Sequence, residues 1–188
     1  TGEVIVFEFE DGPGGIEANV APGWPRDIAS AGGVGIWAAP TVADIDGDRR
    51  PEILVTDIGG WLNAWHVDGT TVAGFPKSGQ GSWTRSTTAF GTIDGDLDYE
   101  IFQATSTGRL NGYQGNGAAL PGFPKLGMTS ILSSPAVGDI DDDGFPEIIV
   151  AAENDSIYAF NHTGTRVPGW PKRLVNNIDT TPKAPSPA

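Results

Sequence analysis

Asp139-Ile140-Asp141-Asp142-Asp143-Gly144-Phe145-Pro146-Glu147-Ile148-Ile149-Val150 passes from an acidic, glycine-containing turn straight into a β-branched run. The same design stands at Asp44-Ile45-Asp46-Gly47-Asp48 with Glu52-Ile53-Leu54-Val55, and at Thr92-Ile93-Asp94-Gly95-Asp96 with Glu100-Ile101-Phe102-Gln103. The three loops are 48 and 47 residues apart, and in each a glutamate stands eight positions after the loop begins. A second marker follows the same beat. Gly23-Trp24-Pro25, Gly74-Phe75-Pro76, Gly122-Phe123-Pro124 and Gly169-Trp170-Pro171 are separated by 51, 48 and 47 residues. A fixed internal period of this length identifies a repeat architecture.

Each unit reads as four short strands. A Ser/Ala/Thr-rich strand leads into the acidic loop, as in Ser133-Ser134-Pro135-Ala136-Val137-Gly138, and the run after the glutamate is the second. A turn then leads to an aromatic strand such as Ile157-Tyr158-Ala159-Phe160, and a Gly-containing turn leads to the last segment with its Gly-aromatic-Pro. Short β-branched and aromatic runs punctuated by glycine are the hairpin signal. No run reads as a helix of ten residues. The pattern predicts an all-β chain, a β-propeller of about four four-stranded blades built from 47–48-residue repeats. Units fall at about 36–81, 82–128 and 129–175, with 1–35 and 176–188 together forming a composite fourth blade. Thr1-Gly2-Glu3-Val4-Ile5-Val6 aligns with the second strand at 145–150, and Thr180-Thr181-Pro182 with Ser133-Ser134-Pro135. The ring is therefore either closed by joining the two ends or a segment of a larger propeller. The Pro-rich Pro182–Pro187 stretch reads as a linker and favours the segment.

Composition limits the function. The 188 residues carry 24 acids against 11 basic residues, a net charge of −13, which repels phosphate backbones and argues against nucleic-acid binding. With no cysteine, loops must be locked by packing or a ligand, and 27 Gly and 15 Pro supply the turns. No apolar stretch is long enough to insert into a membrane.

The acids cluster at loop positions one, three, five and nine. Asp44, Asp46, Asp48 and Glu52 form one set and Asp139, Asp141, Asp143 and Glu147 another, with backbone carbonyls of Arg50 and Phe145 completing the cages. The middle set is Asp94, Asp96 and Glu100 with Asp98 at the carbonyl position; Thr92 replaces the first carboxylate, so this loop binds through a hydroxyl or water, or binds poorly. Oxygen-only cages of this kind suit Ca²⁺. Magnesium keeps its waters, and zinc wants His or Cys, which the loops lack. An EF-hand would need a glutamate at position twelve and flanking helices, but Val55 and Val150 stand there within β-branched runs.

The motif Asp-x-Asp-x-Asp-Gly-x-x-Glu between two strands resembles the FG-GAP or VCBS repeat of integrin α-chain propellers and of secreted microbial surface proteins. The likeness covers nearly the whole chain and departs from the family at Arg49 and Thr92, and in having about four blades rather than seven. It implies an extracellular (secreted or cell-surface) location, calcium held for structure, and a role in adhesion or binding.

No nucleophile elbow, phosphate loop or zinc-protease motif is present, so the chain is expected not to be an enzyme. Its expected role is an adhesion, assembly or structural scaffold. The expected partners are a protein or glycan at the cell surface, or further copies of itself. A carbohydrate-binding module is one alternative, and an accessory or catalytic propeller of a polysaccharide-degrading enzyme another. Trp24, Phe75, Phe123 and Trp170 recur with the period and are read as inter-blade packing. Trp37, Trp61 and Trp83 do not recur and are candidates for a glycan or partner surface. His66 and His162 are read as exposed strand-end residues, and Asn154 and Asn161 open glycosylation sequons.

Overall fold

The computed structural model describes residues 2–12, 14–28, 35–79, 83–96 and 98–174. Among these, all regular structure is antiparallel β-sheet. β1 (Glu3–Val4) pairs with β4 (Arg26–Asp27), and β2 (Phe7–Gly12) with β3 (Gly15–Val20). β5 (Thr41–Ala43), β6 (Glu52–Thr56) and β7 (Leu62–Trp65) form one meander; β8 (Ala89–Gly91), β9 (Glu100–Ala104) and β10 (Leu110–Tyr113) form the next. The last sheet orders β11 (Ala136–Gly138), β12 (Glu147–Ala152), β13 (Ser156–Phe160) and β14 (Lys172–Arg173). In the two three-stranded sheets the fourth segment docks through isolated bridges, Leu62↔Lys77 and Trp65↔Thr71 in one and Leu110↔Lys125 and Tyr113↔Ala119 in the other. The expected four-strand unit is therefore complete in the last sheet and abbreviated in the others.

The acidic glutamates begin β6, β9 and β12, as the sequence predicts. Why these strands are apolar on both faces is clear from what they touch. Ile53 and Val55 share a core with Val4, Ala21, Trp24 and Trp65, whereas Leu54 between them packs with Ile101 and Phe75. One unit on, Ile101 joins that same core while Phe102 and Ala104 turn the other way, toward Ile148 and Val150. The two middle sheets are thus each sandwiched by their sequence neighbours, and three cores lie in series between consecutive units. Three of the recurring aromatics bear out their reading: Trp24, Phe75 and Phe123 are buried, and Trp24 meets Trp65 edge-on at 5.9 Å, whereas Trp170 of the last unit is half-buried and joins none of the three cores. The lysines after the second and third Gly-aromatic-Pro add a bridge that sequence reading missed. Lys77 lies over both Phe75 and Tyr113, and Lys125 over Phe123 and Phe160 of the following unit.

The N-terminal alignment needs correction. Glu3 pairs with Asp27 and Val4 with Arg26, the register in which Ser156 pairs with Arg173 and Ile157 with Lys172. Ala21 N–H donates to Val6 O as Val167 N–H does to Ala159 O. β1 therefore occupies the place of a third strand, not a second. Glu3-Val4-Ile5-Val6 mimics the second-strand motif in composition, but its pairing is decided by the distance to Trp24. The extra residues form the protruding hairpin β2–β3, with Phe9 and Ile16 exposed at 70% and 75%. The part of the composite blade assigned to 176–188 lies outside the described residues.

The isoleucine at loop position two reports this stacking. Ile45 and Ile93 are buried under the following sheet, at 0% and 1% exposure, while Ile140 is 47% exposed. Ile45→Ala is accordingly expected to cost roughly 2–5 kcal/mol and Ile140→Ala no more than about 0.5 kcal/mol. Chemical denaturation measures both, and equal costs would contradict stacking through these side chains.

Candidate metal centre

Each loop is organised by its terminal glutamate. Glu52 Oε2 accepts the backbone N–H of Ile45 at 2.9 Å, Glu100 Oε2 that of Ile93 at 2.8 Å, and Glu147 Oε2 that of Ile140 at 2.9 Å. All three carboxyls are buried, at 0%, 2% and 0% exposure. The bond ties loop position two to position nine and fixes one glutamate oxygen on the protein. The second oxygen is left for another partner.

The aspartates are fastened by their own loop. Asp44 Oδ1 and Oδ2 accept from the N–H groups of Gly47 and Arg49, and Asp139 Oδ2 from Gly144. Asp48 Oδ1 accepts from Arg50 N–H and Asp143 Oδ1 from Phe145 N–H, and in the middle loop Asp96 Oδ1 accepts from Asp98 N–H. The turn needs left-handed backbone at two places. Loop one supplies Gly47 and Arg49 (φ 77° and 70°), the third loop Asp142 and Gly144 (φ 59° and 90°). Arg49, the apparent departure from the motif, therefore takes the same conformation as Gly144 at a strain cost on the order of 1 kcal/mol.

Carboxylate oxygens converge within 4.8 Å of one another in every loop. The sets are Asp44, Asp46 and Asp48 in the first, Asp94, Asp96 and Glu100 in the second, and Asp139, Asp141 and Glu147 in the third. Thr92 does not prevent the middle loop from assembling three acids, beside a cavity of about 350 Å³ lined by Asp96, Asp98, Glu100 and Gln114. The donor set fits a hard divalent cation, because an oxygen cage this dense is otherwise self-repelling. The sharpest indicator is in the third loop: Glu147 Oε1 is buried and has no hydrogen-bond partner. A buried carboxylate oxygen left unpaired is costly, and a cation would satisfy it.

Loop one differs. His66 Nδ1 lies 3.2 Å from Glu52 Oε1, and Asp46, Glu52 and His66 form a second converging group. His66 is half-buried, so its reading as an exposed strand-end residue is corrected. The sequence signal was available: Gln114 and Asn161 stand at the same fourteen-residue offset from Glu100 and Glu147 as His66 does from Glu52. His162 is also half-buried, its ring 4.6 Å from that of Phe145. Of the other sequence candidates, Trp61 is half-buried beside the β6–β7 turn, where its backbone N–H donates to Asp57 Oδ1.

Burial raises the pKa of Glu52, Glu100 and Glu147, with neighbouring loop aspartates pushing the same way. Glu100 is pushed up to about 6.

Residues 132–165, which carry the third loop with β11, β12 and β13, match the FG-GAP repeat family, bearing out for that span the resemblance in its motif. No curated protein is detectably similar to the chain. Among solved structures, the V. cholerae biofilm matrix protein Bap1 superposes with a TM-score of 0.58 at 23% identity, covering 80% of this chain and 23% of Bap1. BBS1N, solved in complex with ARL6DN, gives 0.53 at 17% identity, covering 84% of this chain and 50% of that one. The likeness to both is one of fold, and this chain spans half or less of either.

A raised carboxyl pKa stabilises the protonated folded state. In metal-free buffer the contribution of Glu100 is fully present below its ordinary value of 4.5 and lost as pH rises through about 6. Between pH 4.5 and 7 in EDTA, the wild type should lose roughly 2 kcal/mol relative to Glu100→Gln. Unfolding curves at each pH test this, and a constant difference would contradict it.

Proposed function

We propose that this chain is part of a calcium-stabilised β-propeller that serves, secreted or at the cell surface, as an adhesion or assembly scaffold without catalytic activity of its own. One observation carries the reading: the same acidic loop is rebuilt three times, each closed by a buried glutamate anchored through one oxygen. Catalysis needs a site once, whereas a structural cross-link belongs in every unit. The FG-GAP match and the fold shared with a biofilm matrix protein support the same class. The serial cores, with the two middle sheets covered on both faces by their neighbours, support propeller blades.

The ligand sets are Asp44, Asp46, Asp48 and Glu52; Asp94, Asp96 and Glu100; and Asp139, Asp141, Asp143 and Glu147. The carbonyls of Arg50, Asp98 and Phe145 complete them. Calcium fits best because the donors are almost all oxygen and the loop backbone can adjust to six or more of them. Bound there, the ion neutralises charges that otherwise repel and holds the turn between the first two strands of each unit. Extracellular calcium in the millimolar range would fill sites with affinities of roughly 10⁻⁴–10⁻³ M. Among the described residues no helix is long and apolar enough to cross a membrane.

Thermal unfolding in EDTA and across a calcium titration, with magnesium as control, tests the proposal. At a hundred times the dissociation constant each site should add about 2.7 kcal/mol. Asp139→Ala with Asp141→Ala should remove the share of one loop. Melting that ignores calcium would overturn the calcium reading while leaving the repeat fold intact.

A further inference from the structure

At the end of the sheets opposite the acidic loops, two exposed tryptophans flank an arginine. The Arg85 guanidinium carbon lies 4.2 Å from the Trp37 ring centroid and 5.6 Å from that of Trp83. Trp37 is 58% exposed and Trp83 44%, so each presents much of its indole to solvent. The strands separate this group from the loops. β6 runs from Glu52 to Thr56, roughly 13–17 Å of chain. Beyond it Ile58 N–H donates to Gly35 O, and in the next unit Ser106 N–H donates to Trp83 O.

The group is held rigidly from beneath. Arg85 stands between Thr84 and Ser86, both 1% exposed. Thr84 Oγ1 donates to Ala104 O and accepts from Ser86 N–H, each at 2.9 Å. Trp37 and Arg85 stand 48 residues apart, at equivalent positions of consecutive units, so the stacking spans the junction between two sheets. Among the described residues Arg85 has no ion pair or hydrogen bond, although the chain carries 24 acids. Stacking on an indole uses the face of a guanidinium and leaves its in-plane N–H fork free.

We infer that Trp37, Arg85 and Trp83 form a binding site for an acidic saccharide, a uronate-bearing glycan whose carboxylate pairs with Arg85 and whose pyranose C–H faces lie on the two indoles. The inference rests on the adhesion reading above and names its ligand class. Exposed flat aromatics beside a free planar cation match a sugar ring that carries one carboxylate. An acidic peptide offers no flat apolar face to lie on the two indoles and matches the site less well.

Calorimetry on the full chain in calcium-containing buffer tests the site. The probes are a glucuronate-containing oligosaccharide, its neutral glucose counterpart and a poly-glutamate peptide. The uronate sugar should bind at least tenfold more tightly than the neutral one, and poly-glutamate should not bind. Arg85→Gln should erase the preference and Arg85→Lys should reduce it, while Trp37→Ala and Trp83→Ala should each weaken both sugars. Uronate binding unchanged in Arg85→Gln, equal binding of poly-glutamate, or no sugar binding at all would overturn the inference. Calcium-dependent melting of the same variants separates the two proposals. A calcium shift without sugar binding removes only this site, whereas Arg85-dependent binding without a calcium shift removes only the calcium scaffold.

Discussion

The hydrogen bond from the isoleucine N–H at loop position two to the glutamate at position nine is the contact on which the rest of each unit depends. It closes the acidic turn, starts the second strand and sets the depth of the isoleucine side chain. That side chain then fills the junction with the next sheet, as Ile45 and Ile93 do. One hydrogen bond thus couples the geometry of the acidic loop to sheet stacking. Moving the glutamate by one residue would reverse the alternation of the strand it begins and turn Leu54 or Phe102 away from its core.

The coupling has an electrostatic cost. Burying a carboxylate at the foot of a loop that already holds two or three aspartates raises its pKa and strains the metal-free state. Under the proposed function a cation converts that repulsion into a cross-link, which makes assembly of the sheets conditional on the ion. Gly115 shows how closely the units are pressed at this level: a Cβ there would lie 1.4 Å from Ile45 O.

Much of this was legible in the sequence because the period is strict. The repeat places β6, β9 and β12 directly, and the converging acids are those whose spacing the loops share. Three things were hidden. The register of the N-terminal strand depends on a pairing distance that composition does not reveal, and Glu3-Val4-Ile5-Val6 looks like a second strand while pairing as a third. The contact of His66 with Glu52 joins residues fourteen apart, and comparing that offset with Gln114 and Asn161 would have exposed it. Their failure to recur marked Trp37 and Trp83, but Arg85 between them was hidden, because it meets Trp37 only once consecutive sheets stack.

Native mass spectrometry of the chain, equilibrated with calcium and then exchanged into volatile buffer, tests the central claim most directly. The account predicts three calcium ions per chain, falling to two in each of Glu52→Gln, Glu100→Gln and Glu147→Gln. A chain that carries no calcium, or carries it indifferently to all three substitutions, would contradict the claim that these loops are ion-held joints.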